Sequence, residues 1–324
     1  MSPWKPTCSF DVLQERAHIN ATIRAFFSQH KVLEVETPAL SQAANTDPYI
    51  ETFQCNGMNH YSTTDPHSRY LHTSPEYPMK RLLAAGSGDI YQIAKVWRAH
   101  EVGNNHNPEF TLLEWYRLDF SYQQLMQEVE TLLLALIPDL QQSQSRYLTY
   151  RSAFIEILNI DPHIASDKDL QQCMQQYAIN ISADLDRSAL LDVLMTHCIE
   201  PQFHANALTF IYDYPAEQSA LACVRADYPP VAERFEVYFG SLELANGYQE
   251  LRDAEGNAAV LQRECDYRQQ HNIATVPKDA NFLAAMQYGL PHCAGVAMGL
   301  DRLLMAKLNK KSIQEVISFA WTVA

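Results

Sequence analysis

The sequence predicts an α+β fold in which helices flank a largely antiparallel sheet. Strand-like segments are separated by turns rather than by regularly alternating helices, which favours antiparallel over parallel pairing. The 324 residues include 47% hydrophobic and 19% charged side chains, as is typical of a globular protein with a full core. We therefore expect residues 1–324 to form a single domain, with a helical insertion at about 138–205.

The first part of the chain alternates between helical and strand-like segments. A helix is expected at 10–30, where apolar residues share one face and Asp11 could cap the first turn. The elements predicted after it are a strand at 32–38 ended by Pro38, short strands and turns at 41–66, a helix at Tyr77–Ala85, strands at Asp89–Arg98 and Glu109–Leu118, and a helix at Ser121–Leu136 capped by Ser121.

The second part begins with the stretch at 138–205, in which glutamine is frequent. Helices are predicted there near 167–178 and 186–198. The strand pattern returns from Thr209 and continues to Leu251. A helix is then expected at about 257–271, followed by a glycine-rich turn that leads into a helix at Leu300–Leu308.

Charge and cysteine content limit the classes of function. A net charge of −14 argues against a protein that holds nucleic acid mainly by its phosphates, so we expect no stable nucleic acid partner. The seven cysteines form no CxxC pair or zinc-type spacing and are typical of reduced thiols. The longest apolar run, Leu132–Ile137, is too short to cross a membrane, and no secretory signal is visible. We expect a cytoplasmic protein.

The segment Val96–Tyr116 contains the first candidate site. Arg98 ends a predicted strand and precedes a polar loop, an arrangement in which a guanidinium can bind two phosphate oxygens at once. Glu114 and Tyr116 alternate with Trp115 on the returning strand and therefore share one face. Two polar residues on a core-facing side suggest a lined pocket; the alternative is an edge strand with a wet face.

Three glutamates at seven-residue intervals form the second candidate site. Glu236, Glu243 and Glu250 lie on two adjacent strand-like pieces. Carboxylates brought together on a sheet could bind Mg²⁺ and a cationic substrate. The alternative is that all three are solvated side chains on an exposed face.

The third candidate is a glycine-containing segment, Gly295–Met305. Its glycines precede a helix whose first turn carries Asp301 and Arg302. A helix N-terminus favours phosphate, and Arg302 would add positive charge. Ordinary turns would explain any one of these glycines. The segment contains no Walker loop and no dinucleotide-binding fingerprint.

Taken together, these segments resemble motifs 2 and 3 of class II aminoacyl-tRNA synthetases and the carboxylate strands between them. The helix that ends before VLEVETP resembles motif 1, with Pro38 at its dimer-forming proline. TSPEY, HNPEFT, LLEWY, ANGYQEL and GLDRLLM resemble the lysyl-specific branch. The resemblance runs from about residue 10 to the end and leaves no room for an N-terminal anticodon-binding barrel. A catalytic core without that barrel is similar to the elongation factor P–(R)-β-lysine ligase family.

This resemblance implies an AMP-forming, ATP-dependent, homodimeric ligase with the class II synthetase catalytic fold. It would activate (R)-β-lysine as an adenylate and transfer it to a lysine ε-amino group of elongation factor P. One alternative is a stand-alone synthetase that charges tRNA with lysine. Others are an amide ligase of the asparagine synthetase type and a non-enzymatic paralogue that binds only ATP or a partner.

The resemblance also implies roles for individual residues. Arg98, Glu243 and Arg302 would be catalytic, with Arg98 on the α-phosphate and Arg302 on the γ-phosphate of ATP. The ATP-binding residues would be Arg98, Ala99, His100, Glu101, Asn107, Phe110, Glu243, Leu244, Gly299 and Arg302. Glu236 and Glu243 would bind Mg²⁺. The substrate-binding residues would be Ser74, Pro75, Glu76, Tyr116, Glu250 and Ala297, with Tyr116 and Glu250 receiving the ε-ammonium group.

Two departures from the family pattern concern this site. Synthetases usually carry R-x-E in motif 2, whereas here Arg98-Ala99-His100 precedes Glu101, so either Glu101 supplies the carboxylate or His100 replaces it. Ala297 stands where lysyl-tRNA synthetases carry glycine. We expect its methyl group to take room from an α-amino group and so to favour a β-amino acid.

Overall fold

A computed structural model describes residues 4–55, 68–142, 145–180 and 185–324. The turns and strands predicted at 56–66 lie outside the described residues. The helices of the described chain are α1 (Phe10–Gln29), α2 (Glu76–Ala84), α3 (Tyr122–Leu136), α4 (Tyr150–Leu158), α5 (Asp167–Gln176), α6 (Arg187–Leu194), α7 (Ala254–Gln270), α8 (Ala280–Tyr288) and α9 (Leu300–Lys307). None of the helices in these ranges is both long and apolar enough to cross a bilayer.

Most strands of the described chain come in runs between these helices, and they differ widely in length. They are β1 (Leu33–Glu34), β2 (Leu40–Ser41), β3 (Gln54–Cys55), β4 (Arg69–Leu71), β5 (Ile90–Trp97), β6 (Glu109–Leu118), β7 (Arg146–Thr149), β8 (Leu208–Pro215), β9 (Val224–Arg225), β10 (Val231–Phe239), β11 (Leu242–Gln249) and β12 (Cys293–Gly299). Most pairings are antiparallel, which confirms the predicted α+β class.

The chain forms two compact units. The first comprises Met1–Phe120 and Leu251–Ala324, and the second comprises Ser121–Glu250. That residues 1–324 act as a single catalytic domain stays a prediction.

The first unit is built on the strand order β1–β5–β6–β12. β1 runs parallel to β5, whereas β5–β6 and β6–β12 are antiparallel. Helix α1 covers this sheet because Ile19, Ile23 and Phe27 recur on its buried face. Phe27 stacks on Tyr91 at 4.4 Å and meets Trp115 edge-on at 5.4 Å. The unit thereby fixes the long strand β6, which carries LLEWY.

The second unit is built on the strand order β11–β10–β8–β7. Ser121 is the N-cap residue of helix α3, as predicted from the sequence, and it forms a capping box with Gln124. Helices α4, α5 and α6 bury a core that includes Phe154, Leu170 and Leu191. The helices predicted near 167–178 and 186–198 are observed as α5 and α6, whereas the helical insertion at 138–205 stays a prediction. The stretch also contains β7, which pairs in parallel with β8 and was not predicted.

Several predicted elements differ from those observed. Ser9, not Asp11, occupies the N-cap position of α1; Asp11 lies in the first turn, where its negative charge interacts favourably with the positive end of the helix dipole. The strand predicted at 32–38 extends over Leu33–Glu34 only. Helix α7 starts at Ala254 because Asp253 accepts the Gly256 amide proton and caps it there.

The largest error concerns the glycine-rich segment before α9. It was predicted as a turn, but Cys293–Gly299 forms strand β12, which pairs along its whole length with β6. Glycine is uncommon in strands and is a turn signal in a sequence, yet here Gly295 and Gly299 lie within a paired strand. Ala297 and Gly299 are therefore neighbours of β6 rather than members of a loop.

Candidate active site

A buried carboxylate, Glu114, is the centre of the candidate site in the first unit. It lies on β6 and is 2% exposed. Ser74 Oγ donates to Glu114 Oε2 at 2.7 Å, and Tyr116 OH donates to Oε1 at 2.7 Å. Burial, followed by the negative charge of Glu76, raises the pKa of Glu114 to about 7. The carboxyl group is thus held in place and poised to ionise more completely beside a cation.

Helix α2 brings a second carboxylate, Glu76, to the same place. Glu76 stands in the first turn, and its amide proton is donated to Ser74 Oγ at 3.0 Å. One turn later, the fully buried Lys80 binds Glu76 Oε1 through Nζ at 2.6 Å. Pro75 occupies the N-cap position of the helix. The sequence Ser74-Pro75-Glu76 therefore places a hydroxyl and a carboxylate next to Glu114.

Three strands place a row of residues on either side of this centre. Gln92 on β5 and Ala297 on β12 are the residues directly opposite Glu114 in the two antiparallel pairs. Cβ atoms of directly opposed residues lie about 4.5–5.5 Å apart. The methyl group of Ala297 therefore borders the carboxylate-bearing face.

Arg98 immediately follows β5 in the position predicted for a phosphate ligand. Its guanidinium lies over the Phe110 ring at 5.1 Å, and its Nη1 is 3.9 Å from Glu101 Oε1. Its Nε is buried and makes no hydrogen bond to any described residue. A buried donor without a protein partner is costly, so this atom suits an anionic ligand.

A second guanidinium belongs to Arg302 in the first turn of α9. Its Nη2 lies 2.7 Å from His106 Nε2, and its Nε donates to Asn105 O at 3.3 Å. Burial, followed by the positive charge of Arg302, lowers the pKa of His106; Arg98 lowers it further, and the negative charge of Glu101 raises it. Arg302 thus contacts His106, and Arg98 interacts with the same histidine electrostatically.

The structure bears on whether Glu101 supplies the motif 2 carboxylate or His100 replaces it. His100 is exposed, has a left-handed backbone conformation with φ of 66°, and points its Nε2 to within 3.5 Å of Glu51. Glu101, by contrast, faces Arg98. Of the two side chains, Glu101 is therefore the one placed to orient Arg98.

Two other residues of the predicted adenine site have structural contacts. The Ala99 amide donates to Glu51 O at 2.8 Å. Asn107 donates to Glu109 O at 2.7 Å and accepts from the Trp321 amide at 3.0 Å. Asn107 thereby ties the C-terminal segment to the base of β6. Its contact with adenine stays a prediction.

In the second unit, Glu236 is the most firmly held of the three spaced glutamates. Arg234 Nη2 donates to its Oε1 at 2.6 Å, and Tyr238 OH donates to its Oε2 at 2.5 Å. Asn246, directly opposite on β11, accepts from Arg234 Nε at 3.3 Å. The sheet face that carries Glu236 is therefore polar and pre-organised.

A β-bulge brings Glu243 onto that face. Tyr238 pairs with Glu243, whereas Val237 pairs with Ala245, so Leu244 is the extra residue on β11. Because side chains alternate along a strand, the extra residue puts Glu243 on the side of Glu236 and Tyr238. Leu244 itself is buried, and Glu250, just beyond the strand, is 1% exposed.

Glu200 adds a carboxylate that sequence reasoning missed. It follows a turn of π-helix at Met195–Ile199, and burial followed by the charges of Glu236 and Glu243 raises its pKa to about 7. No group of three or more metal-type side chains within the described ranges is arranged to hold a metal ion by itself. Mg²⁺ commonly takes only one or two carboxylates together with substrate phosphates, so the Glu236–Glu243 pair fits that ion.

The first unit brings most of its predicted site residues into two groups. One comprises Ser74, Pro75, Glu76, Tyr116 and Ala297; the other comprises Arg98, Glu101, Phe110, Gly299 and Arg302. Glu114 and Lys80 were not among the predicted site residues. The alternation of Glu114 with Trp115 had pointed to a pocket face, but nothing in the sequence indicated its hydrogen bonds or the burial of Lys80.

Comparisons with known proteins agree with this geometry. The family described as tRNA synthetases class II (D, K and N) matches residues 7–323, which defines the class of the fold. An elongation factor P–(R)-β-lysine ligase from Pectobacterium carotovorum is 42% identical over 319 residues, covering 98% of this chain and 97% of the relative. Proteins of the same name from Pseudoalteromonas translucida and Vibrio vulnificus are 43% and 42% identical, with at least 98% of each chain covered.

These matches extend over nearly the whole of both chains. The protein belongs to the elongation factor P–(R)-β-lysine ligase family within the class II synthetases. The resemblance that the motifs carry is thereby confirmed.

Proposed function

We propose that this protein is an ATP-dependent ligase that activates (R)-β-lysine and transfers it to a lysine of elongation factor P. The observation that carries the proposal is the buried Glu114 centre, with Glu76 beside it and Ala297 opposite it. Buried carboxylates of this kind suit an ammonium group, which must find a counter-charge when it leaves water. The names of the relatives supply the identity of the substrate and the acceptor.

In this proposal, two sets of residues receive the amine groups. Ser74, Glu76 and Glu114 receive the β-amino group near Ala297. Glu250, nearly fully buried, receives the ε-ammonium. Tyr116 supports the first set through its hydrogen bond to Glu114.

The phosphate chemistry is assigned to the arginines. Arg98, with its buried Nε, would hold the α-phosphate, and Arg302 would hold the γ-phosphate. Glu236 and Glu243 would hold Mg²⁺, which would neutralise phosphate charge when bound. Firm placement of Glu236 by Arg234 and Tyr238 means that little reorganisation is needed when the nucleotide arrives.

The reaction needs no general base in its first step. The substrate carboxylate is already ionised and attacks the α-phosphorus, so that an acyl-adenylate forms and pyrophosphate leaves. In the second step the neutral ε-amine of the acceptor lysine attacks the acyl carbon. An amide forms, AMP leaves with the bonding electron pair, and the amine loses one proton. Positioning and charge stabilisation by the arginines would supply most of the acceleration.

We propose a cytoplasmic homodimer as the working form. Pro38 borders a surface groove that is also lined by Thr37, Pro78, Leu82 and Tyr288. The groove is mostly apolar, although Glu36 and Arg81 also line it, and its position near motif 1 suits contact with a second copy. The charging of tRNA is the second candidate, but the names of the relatives do not favour it, and the net charge of −14 opposes phosphate binding over a broad surface.

The test is ATP–pyrophosphate exchange with α-lysine and β-lysine, followed by the mass of elongation factor P after incubation. We expect exchange that depends on β-lysine and one acyl addition to the acceptor. Exchange with α-lysine together with acylation of bulk tRNA would instead support the second candidate. Exchange with neither amino acid would contradict both.

A further inference from the structure

Helix α7 contains a buried arginine whose partners are backbone carbonyls. Arg268 is 2% exposed and donates to the carbonyl oxygens of Thr46, Asp47 and Ile50 at 2.9, 2.5 and 3.0 Å. It also donates to Ala274 O at 3.0 Å. A guanidinium carries five donors in a rigid fork, so one side chain can fix the path of a segment that forms no regular structure.

One helical turn before Arg268, Glu264 binds the same segment. Thr46 Oγ1 donates to Glu264 Oε2 at 2.5 Å, and Thr46 is fully buried. Residues four apart on a helix lie on one face, so Glu264 and Arg268 present an acceptor and a set of donors side by side. We call this pair the α7 clamp.

The segment held by the clamp, residues 45–50, forms no helix or strand. Within it, Asn45 Oδ1 accepts from the Asp47 amide, and Asp47 Oδ1 accepts from the Tyr49 amide. These are local turns, which by themselves do not tie the segment to the rest of the fold. Beyond them, the segment is held by α7, by a hydrogen bond between Thr46 and Tyr77, and by Thr73.

The same segment reaches the proposed substrate groups. Asn45 Nδ2 donates to Thr73 Oγ1 at 3.3 Å, immediately before Ser74. Ala44 and Asn45 line a cavity of about 240 Å³ together with Ser74 and Glu76. Burial, then the charge of Asp47, and more weakly that of Glu76, raises the pKa of Glu264 to about 7, which indicates that Glu264 and Glu76 are electrostatic neighbours. One part of the cavity lining thus belongs to the segment held by α7, and another part belongs to the start of α2.

We propose that Glu264 and Arg268 are positioning residues that set the wall of the amino-acid cavity through Thr46 and Asn45. The inference rests on the proposed function, because it takes Ser74 and Glu76 as substrate-binding groups. Neither clamp residue is among those that line the cavity. A wall displaced by about 1 Å costs up to 100-fold when it aligns a reacting group, so we expect loss of the clamp to weaken amino-acid use by at least about tenfold.

The experiment compares variants of the clamp by steady-state pyrophosphate exchange. Thr46→Val and Glu264→Ala each remove one side of the hydroxyl–carboxylate bond, and Arg268→Lys replaces the fork by a single ammonium. Glu264→Gln keeps an acceptor for Thr46 and serves as the conservative rescue. Arg263→Lys, at an exposed position of the same helix, is the matched control.

We expect Thr46→Val, Glu264→Ala and Arg268→Lys to raise KM for β-lysine by at least about tenfold while KM for ATP stays within about twofold. Glu264→Gln and Arg263→Lys should remain close to the parent protein. Hydrogen exchange of the amides at 45–50 should be faster in the first three variants. This second readout requires no activity.

Each remaining outcome bears on the proposal. Lower melting temperatures with an unchanged KM for β-lysine would mean that the clamp is structural only, and would overturn the proposal. If Arg268→Lys does not fold, the KM values of Thr46→Val and Glu264→Ala for β-lysine test the proposal. If the parent protein shows no exchange with β-lysine, the proposed function fails, whereas unchanged amide exchange at 45–50 in the variants shows that the clamp fails.

Discussion

Ala297 lies directly opposite Glu114 in the antiparallel pair of β12 and β6. The methyl group therefore stands beside the carboxylate that we assign to the substrate amine. We propose that an amine on the β-carbon avoids this methyl group better than one on the α-carbon, and that Ala297 thereby favours a β-amino acid.

We predict that Ala297→Gly raises activation of α-lysine relative to β-lysine by at least about tenfold, since one methyl-sized difference is worth roughly 10–200-fold in discrimination. Pyrophosphate exchange with both isomers measures the ratio. If glycine only loosens the strand, both isomers change equally and the ratio stays constant. A constant ratio would reject Ala297 as a determinant of selectivity.

Glu114 should make amino-acid use depend on pH. Its pKa of about 7 means that the carboxyl group is largely neutral at pH 6 and ionised at pH 8. The groups that face it are Glu76, Lys80, Ser74 and Tyr116. An ammonium binds the ionised form better, so kcat/KM for β-lysine should rise about tenfold between pH 6 and pH 8.

Calorimetry in two buffers at pH 6.5 provides an independent check. Binding of the amino acid should release a proton from Glu114, and Glu114→Gln should abolish the release. A pH-independent kcat/KM in the parent protein would show that Glu114 does not accept the ammonium.

Ionisation of Glu264 should lower the free energy of unfolding as the pH rises. Its pKa is raised from 4.5 to about 7 by burial and by Asp47 and Glu76, with Arg263 opposing them. Tyr77 and Thr46 also face it. The folded state therefore binds more protons than the unfolded state between those two values, so its contribution favours folding at pH 4.5 and is lost by pH 7.

Denaturant unfolding at pH 5 and pH 7.5 tests this sign. Glu264→Gln removes the titration, so the free energy of unfolding should fall less between these pH values in the variant than in the parent. An identical fall in both proteins would show that the carboxyl group titrates normally.

We predict that Glu250→Gln abolishes activation of lysine-like substrates and leaves ATP binding largely intact. An ammonium buried without its counter-ion costs about 3–5 kcal/mol, which corresponds to a loss of more than about 100-fold. Pyrophosphate exchange measures activation, and equilibrium binding of ATP serves as the control. Exchange at the parent rate would remove Glu250 from the site.

Sedimentation at micromolar concentration should give about twice the chain mass of 36.9 kDa. The expected contact surface lies around Pro38, and Tyr288, which lines the same groove and is 84% exposed, provides a test position. Tyr288→Arg should shift the protein toward the monomer because an unpaired charge would enter an apolar contact. A fully active monomer in the parent protein would contradict the dimer.

Local patterns predicted the long elements well. The bounds of β6 match the prediction because Glu109–Leu118 is bordered by proline and a polar turn. The cap at Ser121 was also correct, since capping depends on three neighbouring residues only. Strand β12 was not predicted because its glycines are a local turn signal, and the pairing with β6 that makes the segment a strand involves residues far away in the sequence.

The sequence predicted which residues belong to the candidate site, but not the contacts that those residues make. The motifs point to Ser74, Glu76 and Arg98 directly. The hydrogen bonds of Glu114 and the burial of Lys80 depend on residues from separate elements that only the fold brings together. The choice between His100 and Glu101 likewise required the left-handed backbone at His100, which turns its side chain toward Glu51.

The extra residue at Leu244 makes the carboxylate strands sensitive to changes in length. Glu236 and Glu243 are seven residues apart, an odd spacing that simple alternation would place on opposite faces. Leu244 has no partner in the register, so its deletion would restore plain alternation and keep Glu243 opposite Tyr238 and Asn246 opposite Glu236. Deletion of a paired residue of β11, such as Ala245, would instead shift the register by one and turn one part of the strand to the other face. Single-residue deletions in this hairpin should therefore be tolerated best at Leu244.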